Sequence, residues 1–264
     1  MFLLILFIIL AIVYSLLFNL IPLSPWFLFL WIPCGIICSF ITVLLMIVLF
    51  LILCPKNNPR GKVRHFLLRN VCFIAILFNN IRIIVEGKEN IPDNNTKFVI
   101  YANHKSLMDP IMLYYATGVR LTAIGKKSIF KTKLLQIIQK VFDAISLDRD
   151  NDREAAKTMV VAIKKVKEGL PMIIFPEGGI KTREVEEMSG LRAGAYKLAT
   201  KAGVLIQPVS IVGATNLSKQ FFMKRKKIKI IYHKPITQEE YKSMNTTEIG
   251  LMVEEIINSG IKNG

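Results

Sequence analysis

Two long apolar segments open the chain, at residues 2–20 and 26–54, with five residues that include two prolines between them. Because a helix needs about 20 apolar residues to cross a hydrocarbon core of roughly 30 Å, each segment is long enough to span a bilayer. Prolines remove backbone donors and favour a turn, so residues 1–55 predict a two-helix membrane anchor. A first helix that lies in the interface instead of spanning is the alternative.

After residue 55, short apolar runs alternate with longer amphipathic stretches. Short runs bounded by turn residues predict strands, and apolar residues three or four apart predict helices. The predicted strands lie near residues 81–85, 97–102, 121–124, 144–147, 172–175, 206–212 and 228–232, and the predicted helices near 63–79, 110–116, 129–141, 152–167, 194–202 and 238–257. This alternation predicts an α/β fold in one globular domain over residues 56–264.

Charge divides the chain at the same place. The first charged residue is Lys56, so residues 56–264 carry all 35 Lys and Arg, all 19 Asp and Glu, and the net charge of +16. Cations that directly follow an apolar segment, Arg64 and Arg69 among them, predict that the domain lies on the cytoplasmic side of the inner membrane. We expect them to attract anionic membrane lipids, and a merely solvated basic surface is the alternative. Because no nucleic-acid motif is present, we expect no nucleic-acid partner.

A histidine and an aspartate five residues apart follow the predicted strand at 97–102. They are His104 and Asp109 in the run NHKSLMDP, which begins at Asn103. A neutral imidazole can take a proton from an alcohol, and a carboxylate on its other ring nitrogen fixes the tautomer. His104 is therefore a candidate general base with Asp109 as its partner. The alternative for Asp109 is an N-cap before a proline at the first helical position.

A second run, PMIIFPEGG from Pro171, is an apolar strand that ends in a proline, a carboxylate and two glycines. Glycine lets a backbone approach a ligand closely, so Glu177 and Gly178 are candidate substrate contacts, with an ordinary turn as the alternative. The charged loop at 181–190 predicts either a mobile flap over a site or a plain surface excursion. The four cysteines lack the further ligands of a zinc site, and we expect no metal.

The two runs together resemble the glycerolipid acyltransferase family, whose signature is a His-x4-Asp block followed by Phe-Pro-Glu-Gly. Residues 125–129 with 147–149 resemble that family's second block, and residues 194–195 with 204–209 its fourth, so the resemblance covers roughly residues 82–213. The family usually continues Phe-Pro-Glu-Gly with Thr-Arg, and this chain has Gly179 and Ile180 there. The usual phosphate-binding arginine of that block is therefore missing.

The resemblance implies a mixed sheet flanked by helices and a reaction in which His104, held by Asp109, activates a lysolipid hydroxyl. It implies acyl transfer from acyl-CoA or acyl carrier protein to 1-acylglycerol 3-phosphate, with phosphatidic acid as the product and no cofactor or metal. The implied substrate contacts are Glu177, Gly178, Arg149 and Lys126, with Lys181, Arg183 or Arg192 in place of the missing arginine. The alternatives are a same-family enzyme for another lysolipid, such as a lyso-amino-lipid, and a non-catalytic membrane lipid-binding protein.

Overall fold

The computed structural model describes residues 2–19, 28–53, 61–148, 151–180, 182–188, 190–217 and 224–264. The helices are α1 (Phe2–Asn19), α2 (Leu28–Leu53), α3 (Lys62–Phe78), α4 (Asp109–Thr117), α5 (Lys133–Phe142), α6 (Asp152–Lys167), α7 (Lys197–Ala202), α8 (Gln238–Tyr241) and α9 (Thr246–Asn263). The strands are β1 (Ile81–Glu86), β2 (Phe98–Ala102), β3 (Thr122–Lys126), β4 (Ile145–Leu147), β5 (Met172–Ile174), β6 (Leu205–Val212) and β7 (Lys226–Tyr232).

The strands form one mixed sheet in the order β1-β7-β6-β2-β5-β3-β4. The strands from β6 to β4 in that order pair in parallel, whereas β7 pairs antiparallel with β6 and parallel with β1. All five residues of β2 are buried, as expected for a central parallel strand covered on both faces. Phe98 and Ile100 pack with α3 and α4 on one face, and Val99 and Tyr101 with α6, α7 and α9 on the other. The predicted fold class is confirmed.

Three of the predicted helices are divided in the structure: the one predicted at 194–202 becomes a 3₁₀ turn (Ala193–Tyr196) followed by α7, and caps divide the other two. The stretch predicted as one helix at 129–141 becomes a 3₁₀ turn followed by α5, whose N-cap Thr132 accepts a hydrogen bond from the Leu135 N–H. The stretch at 238–257 becomes α8 and α9, because Asn245 and Glu248 form a capping box that starts a new helix. Both caps lie inside runs whose apolar spacing is continuous.

The two apolar helices pack against each other in opposite directions. The Phe18 and Trp31 rings stack with centroids 5.3 Å apart, and the Tyr14 and Thr42 hydroxyls are 3.0 Å apart. Within α2, Leu30–Leu49 is long and apolar enough to cross a membrane, and α1 is shorter. The predicted turn at 21–25 and the predicted domain boundary after residue 55 lie outside the described residues.

Helix α3 is held to the globular part by polar side chains. Arg64 is buried and donates to the Lys140 and Val141 carbonyls in the last turn of α5. His65 lies 2.9 Å from the Tyr114 hydroxyl and 3.1 Å from the Gly118 carbonyl oxygen. The Arg64 cation therefore binds helix carbonyls. The expectation that Arg64 attracts anionic membrane lipids is corrected accordingly.

Candidate active site

The ends of two neighbouring parallel strands bring the two sequence motifs together. In the β2–β5 pair Tyr101 is opposite Ile174. His104 lies three residues beyond Tyr101, and Glu177 lies three residues beyond Ile174, so the two turns leave the sheet side by side. The His104 backbone N–H donates to Glu177 Oε1 over 2.7 Å. The site thus lies at the carboxyl ends of parallel strands, the usual place for ligand binding in α/β sheets.

A carboxylate orients the imidazole of His104. His104 Nδ1 is 2.9 Å from Asp109 Oδ2, and the same oxygen accepts from the Lys105 N–H at 2.7 Å and the Ser106 N–H at 2.8 Å. Asp109 is the first residue of α4 and the N-cap position is Met108, so the N-cap interpretation of Asp109 is wrong. Because a carboxylate only accepts, Nδ1 carries the proton and Nε2 is the basic nitrogen.

The imidazole is also fixed by an aromatic ring. The His104 and Phe175 rings stack with centroids 4.1 Å apart and an interplanar angle of 17°. The His104 side chain is 12% exposed, whereas that of Asp109 is fully buried. Nε2 of His104 therefore belongs to a ring held on one face and at one nitrogen, which suits proton transfer at a fixed position.

A buried ion pair lies directly behind His104. Lys105 Nζ is 2.9 Å from Glu177 Oε2, and both side chains are fully buried. Nothing in the sequence singles out Lys105, because a lysine between a histidine and a serine is ordinarily solvent-exposed. The pattern carried no signal for this contact.

A groove of about 720 Å³ lies next to Phe175, the ring that stacks on His104. Its floor is apolar and includes Ile124, Met159, Ile163 and Phe175, and its rim carries Lys167, Arg192, Lys197 and Lys201. None of the groove-lining residues in the described part of the chain is acidic. Phe175 both lines the groove and stacks on His104, whereas His104 itself is not among the groove-lining residues. This volume lies within the range of small-ligand sites, roughly 300–1,000 Å³.

Two of the predicted substrate contacts meet in this groove. Gly178 has φ +78°, and a Cβ added there would lie 2.3 Å from Arg192 Nε, so the Arg192 side chain lies directly over the glycine. The Arg192 backbone N–H donates to the Pro176 carbonyl oxygen over 3.0 Å, which ties the arginine to the turn after β5. Gly178 and Arg192 both line the groove, whereas Glu177 does not.

The other predicted contacts lie elsewhere. Lys126 lines a separate depression of about 380 Å³, next to the Lys127–Asp148 ion pair. Arg183 is exposed and lines neither cavity, and Arg149 and Lys181 lie outside the described residues. Among the residues that the structure describes, no group of three His, Cys, Asp or Glu side chains could hold a metal ion.

The charged loop after β5 is anchored in its described part. The Glu186 carboxylate accepts from the Gly213 N–H at 2.6 Å and the Thr215 hydroxyl at 2.7 Å. The buried Met188 donates its N–H to Asn258 Oδ1 over 2.8 Å. These contacts disagree with the expectation of a mobile flap for this part of the loop.

Comparison with known proteins agrees with this geometry. The family profile described as Acyltransferase matches residues 82–212, which contain the His104–Asp109 pair and the Phe-Pro-Glu-Gly turn. Residues 82–212 therefore form a domain of the acyltransferase family. A crystal structure of the 1-acyl-sn-glycerophosphate acyltransferase from Thermotoga maritima superposes on this acyltransferase with a TM-score of 0.67 and 25% identity, over 83% of this chain and 86% of that one.

Two curated proteins extend the comparison. The 1-acyl-sn-glycerol-3-phosphate acyltransferase of Borreliella burgdorferi is 33% identical over 60% of this chain and 61% of its own length. A protein of Mycoplasma pneumoniae with the name "Probable 1-acyl-sn-glycerol-3-phosphate acyltransferase" is 27% identical over 74% of this chain and 76% of its own. The match to the Borreliella protein thus spans less than two thirds of that relative. These likenesses place the His104–Asp109 pair within an acyltransferase domain.

Proposed function

We propose that this acyltransferase transfers an acyl group from a thioester to the free hydroxyl of 1-acylglycerol 3-phosphate, forming phosphatidic acid. The observation that carries the proposal is the His104 imidazole, whose Nδ1 bonds to Asp109 and whose stacking partner Phe175 lines the groove. The choice of acceptor is supported by the names of the Borreliella and Mycoplasma relatives.

In the proposed reaction, His104 Nε2 takes the proton of the acceptor hydroxyl. The oxygen of that hydroxyl attacks the carbonyl carbon of the thioester at the same time. The tetrahedral oxyanion then collapses, the C–S bond breaks, and the departing sulfur receives the proton from the imidazolium. Asp109 stabilises that imidazolium, because a carboxylate 2.9 Å from Nδ1 favours the charged ring. No covalent enzyme intermediate is required.

The groove fits the donor. Its apolar floor suits an acyl chain or a pantetheine arm, and the cationic rim at Lys167, Lys197 and Lys201 suits phosphates. Acyl-CoA and acyl carrier protein both present a thioester on a phosphopantetheine arm, so either is compatible with this groove. The donor provides the acyl group as a co-substrate, and no other cofactor enters the proposal.

For the acceptor, Arg192 takes the place of the missing arginine. A guanidinium binds a phosphate through two parallel N–H···O bonds. Arg192 lies over Gly178 at the turn that follows β5, and the absence of a side chain at Gly178 is what allows it to lie there. The head group of the acceptor would then bind at the same turn whose glutamate contacts the His104 N–H.

The apolar helices support a membrane location. With α1 and α2 as an anchor, the domain would stay at the surface that supplies the lipid acceptor, which raises its effective concentration. We propose that the anchor lies in the inner membrane and the domain on its cytoplasmic side. The reason is that several cations follow the second apolar segment in the sequence, and such cations usually stay in the cytoplasm.

A panel of acceptors and donors tests the proposal. The purified full chain is assayed with acyl-CoA and with acyl carrier protein thioester, on lysophosphatidate and on uncharged monoacylglycerol. We expect transfer to lysophosphatidate that His104→Ala abolishes. Arg192→Gln should raise the KM for lysophosphatidate by about 10- to 100-fold, the loss of a charged hydrogen bond worth roughly 1.5–3 kcal/mol. Arg183→Gln, which changes an exposed arginine outside the groove, is the matched control.

The missing arginine after Phe-Pro-Glu-Gly favours a second candidate, a same-family enzyme that acts on a lysolipid without a phosphomonoester. A lyso-amino-lipid added to the panel tests this candidate, and transfer to that lipid alone would favour it over lysophosphatidate acylation. Absence of transfer to every acceptor would refute both.

A further inference from the structure

We infer that Lys105 and Glu177 form a buried pair that positions His104, and that Glu177 acts through His104 rather than by touching the acceptor. The inference rests on the proposed function in one respect, since turnover is one of its readouts. It assigns a role to Lys105 that the sequence did not suggest, and it gives Glu177 a role other than the acceptor contact implied by the family resemblance.

The contacts of the Glu177 carboxylate carry the inference. Oε1 accepts from the His104 N–H at 2.7 Å, and Oε2 accepts from Lys105 Nζ at 2.9 Å. Both side chains are fully buried. Each oxygen of this carboxylate therefore accepts a hydrogen bond from the turn that bears the base.

The same turn is held from two other sides. Asp109 Oδ2 accepts from the backbone N–H groups of Lys105 and Ser106 at 2.7 and 2.8 Å. The Asn103 side chain accepts from the Ile211 N–H and donates to the Ile211 carbonyl, both at 2.8 Å, which ties the turn to β6. Glu177 adds the link to β5, so α4, β5 and β6 together determine where His104 lies.

Charge explains why Lys105 belongs to this arrangement. A fully buried carboxylate is costly unless a cation compensates it, and Lys105 provides one at 2.9 Å. A second carboxylate is also near: burial raises the pKa of Glu254 on α9, and the negative charge of Glu177 raises it further. Without the lysine, Glu177 would lose this buried cation while Glu254 stayed near, and its hold on the His104 N–H would weaken.

The test compares Lys105→Met, Glu177→Gln and the double variant, with kcat and the KM for lysophosphatidate measured separately. We expect each single change to lower kcat about 10²-fold with little change in KM, since a small misplacement of a catalytic group costs about that much. The double variant should recover most of the lost kcat, because no buried charge is left unpaired and the glutamine that replaces Glu177 still offers an oxygen to the His104 N–H. That recovery would distinguish positioning from simple loss of a charge.

Two results would overturn the inference. One is a raised KM for lysophosphatidate with unchanged kcat in Glu177→Gln or the double variant, which would make Glu177 an acceptor contact. The other is a double variant that is folded by circular dichroism yet no better than Lys105→Met.

Hydrogen exchange at residues 103–109 gives a readout without turnover. Exchange should be faster than wild type in Lys105→Met and near wild type in the double variant, and equal exchange in all three proteins would also contradict the inference. If wild type fails to acylate lysophosphatidate, the proposed function fails while this readout still tests the pair.

Discussion

Replacing Asp109 by asparagine removes the negative charge beside His104 and keeps an oxygen that can accept the same three hydrogen bonds. In the structure one oxygen, Oδ2, accepts from His104 Nδ1 and from the Lys105 and Ser106 N–H groups, while Oδ1 is buried without a partner among the described residues. The two backbone donors would repel an amide NH₂ group at the Oδ2 position. They should therefore hold the asparagine with its oxygen toward His104 and preserve the imidazole tautomer.

The magnitude follows from the geometry. At 2.9 Å the imidazolium and carboxylate attract by about 6 kcal/mol for an effective dielectric constant of about 20. The asparagine oxygen still accepts, and a hydrogen bond to a charged partner exceeds a neutral one by only about 1–1.5 kcal/mol. Between these bounds we expect the variant to lose about 3 kcal/mol of transition-state stabilisation, which lowers kcat about 10²-fold.

Asp109→Ala separates charge from orientation. It removes the acceptor of Nδ1 and of two backbone N–H groups, so kcat should fall at least about tenfold below that of Asp109→Asn. The free energy of unfolding should also fall by roughly 2–6 kcal/mol, which is about 1–3 kcal/mol for each of the two unsatisfied N–H groups. Thiol release from acyl-CoA measures kcat, and urea denaturation measures stability. Activity of the asparagine variant within about threefold of wild type, or equal activity of the two variants, would refute the reasoning.

Two further predictions concern the groove and acid stability. Gly178→Ala places a Cβ against Arg192 at a positive φ, so steady-state kinetics should show a raised KM for lysophosphatidate with a smaller change in kcat, and an unchanged KM would argue against Arg192 as the phosphate contact. Burial lowers the pKa of His65 below its usual 6.5, aided by Arg69 and Arg120 and opposed by its hydrogen bond to Gly118. The unfolded chain then binds a proton first as pH falls, so stability should be full above about pH 6.5 and decline below it. His65→Gln should flatten that decline in melting temperature between pH 7.5 and 5.5, and an unchanged slope would show that His65 does not cause it.

Local patterns determined most of the secondary structure of this protein. The apolar runs that predicted strands at 97–102 and 206–212 correspond to β2 and β6, because a buried parallel strand is apolar along its length. Two of the misjudged helix boundaries lie at caps within periodic stretches, where apolar spacing alone does not show a break.

The His104–Asp109 pair could also be predicted from the sequence, because five residues of one turn are enough to bring the two side chains within hydrogen-bond distance. Other contacts of the site could not. Glu177 meets His104 because β2 and β5 pair in a particular register, and Arg192 reaches Gly178 because its backbone returns to Pro176.

The sequence by itself thus determined the apolar helices, the strand and helix alternation and the candidate base with its carboxylate, since each depends on neighbours along the chain. Only the tertiary structure decided that Lys105 is buried, that Glu177 faces the catalytic turn, and that a groove with a cationic rim lies next to the Phe175 ring that stacks on His104. Strand order and register bring together residues far apart in the chain, and no local pattern of polar and apolar positions encodes which strands become neighbours.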